Sequence, residues 1–166
     1  MFCADKGFEE KEIILLETVI LNRIYWEMSS PLIYDFVMLY FRNPKIENEK
    51  DTCFWLAMYI SELALQSSLY IKFKNSIIAA TVVALSRYSI GIKDTWTEQL
   101  ETVSGYDMSQ LTDCLKELSI FIDKRRIVPS LKIISRRYKK SKRHRVTEIP
   151  IKSVRHQSDL VMMESK

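Results

Sequence analysis

The side chains best suited to proton transfer, nucleophilic attack or metal ligation are few and poorly placed for it. Both histidines, His144 and His156, fall in the C-terminal quarter, beyond the segments patterned to fold. The three cysteines, Cys3, Cys53 and Cys114, are widely scattered and form no CxxC pair. An odd, unpaired set fits a reducing compartment and argues against a disulfide scaffold or structural zinc. Cys53 and Cys114 fall on apolar helix faces, where a small buried residue is the expectation. Asp and Glu are plentiful but dispersed over helix surfaces. No Gly-rich phosphate loop and no HExxH occurs. The residues therefore point away from an enzyme, and no metal, cofactor or small-molecule substrate is expected.

Recognition chemistry is better represented. Arg136, Arg137, Lys139, Lys140, Lys142, Arg143 and Arg145 form a run dense enough to read as a nuclear-import signal or a nucleic-acid patch. Only Tyr138 within it offers a stacking platform, so nucleic acid is the less expected partner. At the other end of the chain, Ile14, Glu17 and Leu21 stand at i, i+3 and i+7 and share one helical face. A carboxylate between two branched apolar residues needs a cation or hydrogen-bond donors if that face is covered.

The elements that position these groups are all helical. Leucine, isoleucine, lysine and glutamate recur at helical spacing, and three glycines and four prolines leave little material for hairpins. At 166 residues the chain suits one substantial core. A first helix is expected from Glu9 to Tyr25. Ser30 as N-cap with Pro31 at N1 starts a second, which runs to about Phe41 with Ile33, Phe36, Val37 and Tyr40 inward. A charged loop (42–50) follows, and Asp51 caps a third helix to about Gln66. Ser76 to Tyr88 is apolar all round, the mark of a helix surrounded by other helices, yet too short to span a membrane. Thr95 is placed to cap Trp96 to Ser104, with Gly105 in the left-handed closing position. Asp107 with Gln110 forms a capping box for a helix to about Lys124. Pro129 opens a last one through Tyr138, and an irregular tail is expected after Lys139. Trp55, beside Leu56 and Tyr59, is read as core rather than as an exposed patch.

Charge divides the chain. Residues 124–166 hold 14 Lys/Arg against three Asp/Glu, whereas residues 1–123 hold 11 against 18. An acidic helical body thus carries a basic C-terminal segment, an asymmetry typical of interaction or targeting tails. The first dozen residues contain no apolar h-region of the signal-peptide kind.

The order LAMYISELAL (56–65), Tyr70-Ile-Lys-Phe, Ser76-Ile-Ile-Ala-Ala, Trp96 and Gly105-Tyr106 resembles the second cyclin box of A- and B-type mitotic cyclins. The likeness runs from about Phe8 to Val146 and takes in the closing Tyr138-Lys-Lys-Ser-Lys-Arg-His. It implies a five-helix box around a central apolar helix, with residues 1–30 the last helix of an N-terminal box plus linker, 31–138 the C-terminal box, and 139–166 a basic tail. By the same resemblance Glu17 matches a glutamate that pairs with a first-box lysine and helps hold a cyclin-dependent kinase. Leu21, Trp26 and Met28 match kinase-contacting positions. Two departures stand out: Asn75-Ser76 replaces a proline-serine opening the central helix, and Gln66-Ser67 replaces an aspartate.

The resemblance therefore implies a non-catalytic cell-cycle regulator of the nucleus or cytoplasm that binds or supports a cyclin-dependent kinase. Because it reaches only the last helix of the first box, a shortened product with weak kinase affinity, unable to activate alone, is expected. Two alternatives stay open, a helical adaptor module of the kind found in the general transcription factor IIB family, and a basic-tailed nucleic-acid-binding protein.

Overall fold

The computed structural model describes residues 7–42, 52–124, 129–154 and 157–164. It divides into two compact units, Met1–Ser30 and Pro31–Lys166.

The first unit is built on α1 (Glu10–Arg23). The Glu12 carboxylate accepts the Glu9 backbone N–H at 2.9 Å and so satisfies one of the free donors at the helix start. None of its residues is buried, although Ile13, Ile14, Leu15, Leu16, Val19 and Ile20 make it apolar around most of its circumference. The helix ends in two consecutive non-glycine residues with left-handed backbone, Tyr25 (φ 52°) and Trp26 (φ 60°). That conformation is uncommon for bulky side chains. It is held by the Trp26 N–H on the Leu21 carbonyl (2.9 Å) and by the Trp26 indole N–H on Asn22 Oδ1 (3.1 Å).

The second unit is all-α among the described residues. It contains α2 (Ile33–Phe41), α3 (Thr52–Ala64), the single turn α4 (Leu69–Lys72), α5 (Asn75–Ile90), α6 (Glu98–Ser104), α7 (Met108–Asp123), α8 (Pro129–Tyr138) and α9 (Gln157–Glu164). The central helix is α5, packed by α2, α3 and α7, with α8 against α3 and α6 against α2. Its residues from Ile78 to Arg87 are all buried, which explains an apolar surface with no polar stripe. Gly91 closes it at φ 87°, where a side chain would be strained.

Starts and stops follow local chemistry, in places shifted from expectation. The α2 N-cap is Leu32 rather than Ser30, because Asp35 accepts the Leu32 N–H at 2.8 Å. The Pro31 carbonyl instead accepts the Asn75 side-chain amide at 3.0 Å. The α6 cap is Thr97, whose hydroxyl accepts the Leu100 N–H at 3.3 Å. Thr95 is buried, and its carbonyl takes the Arg87 guanidinium at 2.9 Å. Gly105 (φ 75°) ends α6, and Asp107 and Gln110 make a reciprocal capping box at 3.0 Å each way. Asp51 and Cys3 lie outside the described residues, as do positions 43–50 of the charged loop.

The segment after Lys139 is corrected by the structure: it is not an irregular tail. Short 3-10 turns stand at Ser141–Arg143 and Val146–Glu148, α9 spans Gln157–Glu164, and Val146, Val154, Leu160 and Met163 are buried in the core. His144 consequently lies between two turns of the folded body rather than beyond it, while His156 is outside the described residues. The high average charge of this segment hides four well-spaced apolar side chains, and their burial outweighs it.

Candidate partner-binding surfaces

On α1, Phe8, Ile13, Leu16, Glu17, Ile20 and Leu21 line an open hollow of about 620 Å³. Glu17 and Leu21 thus share one lining, with the carboxylate set among apolar side chains. No described cation pairs with Glu17. Trp26 and Met28 occupy the turn that follows and are 60% and 69% exposed. The left-handed turn presents the indole outward while Asn22 holds its N–H.

The basic run is divided by the fold. Arg137 pairs with Glu62 of α3 at 2.7 Å, and Tyr138 donates its hydroxyl to the other oxygen of the same carboxylate at 2.7 Å. Arg143 lies over the Tyr138 ring (4.9 Å) and the Trp55 ring (5.6 Å), and donates to the Arg137 carbonyl at 2.9 Å. Arg136, Lys139, Lys140, Lys142 and Arg145 remain exposed. Burial and the neighbouring Glu62 carboxylate push the Tyr138 hydroxyl well above its ordinary pKa, so it stays a donor at neutral pH. Trp55 is half-buried against Phe54 and Tyr138, as expected of a core residue.

Sequence reasoning missed Glu62 as the residue that fastens α8 to α3. Its one signal was a carboxylate inside an otherwise apolar helix. It also missed Arg87, a buried guanidinium that donates to the carbonyls of Asp94 and Thr95 and shapes the loop before Trp96. The Trp96 indole N–H reaches the Tyr106 carbonyl at 2.9 Å, a packing role. Nucleophilic chemistry finds no support at Cys114, whose thiol burial pushes up to about 11, leaving it protonated at neutral pH. Among the described residues no three His, Cys, Asp or Glu side chains converge as metal ligands, and no helix is long and apolar enough to cross a membrane.

Residues 31–152 match the family model of the cyclin C-terminal domain. The chain belongs to the cyclin family. Its helices α2, α3, α5, α6 and α7 are the five of a C-terminal cyclin box of the A/B type, with α5 at the centre. It is 29% identical to Cyclin-B1-3 of Arabidopsis thaliana over 159 residues, 93% of this chain and 36% of that protein. It is 31% identical to Cyclin-A2 of Gallus gallus over 123 residues, 71% of this chain and 29% of the relative. The G2/mitotic-specific cyclin-A of Patella vulgata is 29% identical over 119 residues, covering 71% and 27%. The chain thus spans only about a third of the length of the curated relatives it matches. In this cyclin box the residues standing for the usual proline-serine have taken up contacts of their own. Asn75 holds the Pro31 carbonyl, and Ser76 joins Tyr106 through a 2.8 Å hydroxyl pair.

Proposed function

We propose that this protein is a non-catalytic cell-cycle regulator that binds a cyclin-dependent kinase through the face carrying Glu17, Leu21, Trp26 and Met28. In this reading residues 1–30 are the last helix of an N-terminal cyclin box with its linker, 31–138 form the C-terminal box, and 139–166 form a basic segment. The observation that supports it best is the apolar hollow on α1, which holds an unpaired carboxylate, is followed in the chain by an exposed tryptophan and adjoins in sequence a C-terminal cyclin box. Exposed aromatics of this kind are typical hot spots of protein interfaces.

The mechanism is a population shift. A partner that binds the active arrangement of the kinase better than the inactive one moves the equilibrium by its differential affinity and performs no chemistry itself. Glu17 supplies a charge for a cationic group, while Leu21, Trp26 and Met28 supply apolar area. The affinity is expected to be weak and activation by the chain alone absent. The reading places the protein where such kinases act, in the nucleus and cytoplasm.

The test is a quantitative pull-down of purified cyclin-dependent kinases with the wild type, Glu17→Ala and Trp26→Ala. Weak binding that falls about tenfold in Trp26→Ala, the loss of roughly 1.4 kcal/mol typical of a moderate hot spot, supports the surface. Tight stoichiometric binding that both variants retain overturns it. Kinase assays with and without the chain separate a regulator from an inert adaptor.

A further inference from the structure

The exposed cations of α8 and of the turn directly after it are held in place by the fold, and nothing in the kinase reading uses them. Lys132 and Arg136 stand one turn apart on α8, Lys139 and Lys140 follow directly in the turn after it, and all four are exposed. The opposite face holds Ile134 and Tyr138 in the core. None of the four pairs with a described carboxylate, whereas their neighbour Arg137 does. The helix is fastened from beneath by three contacts: Tyr59 with Ser135 (2.9 Å), Tyr138 with Glu62 (2.7 Å), and Arg143 over the Tyr138 ring. Such fastening spares a partner the ordering cost that a free basic tail imposes on binding.

Two observations choose among polyanions. The aromatic rings nearest this face are covered, since Tyr138 is 2% exposed and Arg143 lies over both it and Trp55. Among the described residues Arg143 thus occupies the rings on which a base could stack, and stacking supplies much of single-strand binding. Among the cations stands Ile133, 64% exposed. A phosphate backbone has no use for it, but a peptide with one apolar side chain among its carboxylates does. From Lys132 to Tyr138 the helix advances about 9 Å, and with Lys139 and Lys140 just beyond it the cations span the reach of roughly four residues of extended chain.

The geometry points to a docking face for an acidic peptide segment of a partner protein, about four residues of Asp and Glu carrying one branched apolar side chain that packs on Ile133. Charge complementarity supplies register and on-rate, and the apolar contact supplies selectivity. This inference is independent of the kinase reading.

The experiment is fluorescence anisotropy of a labelled peptide, six glutamates around a central leucine, titrated with the full 166-residue chain at about 50 mM salt, where exposed charges are weakly screened. Arg136→Glu with Lys140→Glu is expected to weaken binding about tenfold, since two exposed attractions become repulsions. Lys93→Glu with Arg42→Glu, matched in charge but elsewhere on the surface, is expected to leave it unchanged. Lys139→Gln with Lys140→Gln, a milder change, should weaken it in the same direction with an unaltered melting temperature. Ile133→Ser should weaken the leucine peptide but not one carrying glycine in its place. Equal losses in the two charge-matched pairs, an absence of peptide binding, or tighter binding of a duplex DNA of equal charge overturns the proposal.

Discussion

Tyr138 donates a 2.7 Å hydrogen bond to Glu62, and this joins α8, which follows the five helices of the box, to α3 within it. The same carboxylate holds Arg137, so one acidic residue of α3 fastens two consecutive residues of α8. Arg143 then closes over the Tyr138 ring from the following turn. The closing basic sequence is therefore partly structural, and its exposed members owe their placement to its buried ones.

Alkaline pH should loosen this joint. Burial raises the Tyr138 hydroxyl above its ordinary pKa, and burial with a neighbouring Tyr106 raises Tyr40 to about 12. A group whose folded pKa is raised contributes stability that is complete below the unfolded value, near 10, and is lost as pH climbs towards the folded value. Urea midpoints should hold steady to about pH 10 and then fall. Tyr138→Phe and Tyr40→Phe should each flatten that fall, at the expense of lower stability at pH 7. A midpoint that declines equally steeply in both variants would rule out these tyrosines as its source.

Much of this architecture was readable from residue patterns, and the misses share a physical cause. The helix of Ser76 to Tyr88 and the Asp107–Gln110 capping box are governed by local chemistry, burial on all sides in one case and reciprocal hydrogen bonds in the other. Thr95 and Ser30 looked like good caps, but contacts outside the helix start displace both. Thr95 is buried where its carbonyl takes Arg87, and Pro31 is drawn to Asn75. The same holds for the C-terminal segment, where Val146, Val154, Leu160 and Met163 find the core only through tertiary packing. For the candidate surface, the shared face of Glu17 and Leu21 followed from helical spacing. The left-handed turn that exposes Trp26 did not, because nothing in Tyr25-Trp26 favours a positive φ.

Asn75 offers a test of a departure within the family. It is the first residue of α5, where a backbone N–H has no helical partner and proline is tolerated. Lys74 before it is already extended (φ −63°, ψ 147°), as a residue preceding proline must be. Asn75→Pro thus exchanges the hydrogen bond to Pro31 for a better helix start. It should change stability by less than about 1 kcal/mol, whereas Asn75→Ala loses the hydrogen bond without compensation and costs about 0.5–1.5 kcal/mol. Chemical denaturation of both variants checks the order, and a proline variant less stable than the alanine one would contradict it.

Leu85 reports on the centre of the box. It is wholly buried on α5, within the core shared by the flanking helices. Leu85→Ala removes apolar contacts and leaves a cavity, a change that costs about 2–5 kcal/mol. In a domain of this size each kcal/mol lowers the melting temperature by about 2–4 °C. A loss below about 1 kcal/mol would mean that the site collapses around the smaller side chain rather than holding a cavity open.

The C-terminal segment provides the sharpest contrast between a tail and a structural part. Two buried serines, Ser89 of α5 and Ser119 of α7, accept the backbone N–H groups of Lys152 and Val154 at 3.2 and 3.1 Å. Between these anchors Ser153 donates to Asp123 at 3.1 Å, and the Lys152 ammonium sits 4.6 Å from the Tyr88 ring centre. The segment is thus strapped across two core helices, and Val154, Leu160 and Met163 are buried beyond or within the strap. Ending the chain after Glu148 removes three buried side chains, each contributing up to about 1.5–3 kcal/mol, and leaves two buried hydroxyls without their donors. The shortened protein should lose several kcal/mol by urea denaturation, which for a marginally stable domain approaches its whole stability. Ser119→Ala, which removes one anchor and keeps the rest, should cost about 1 kcal/mol in the same assay. A truncated chain as stable as the full one would return residues 149–164 to the status of a free tail.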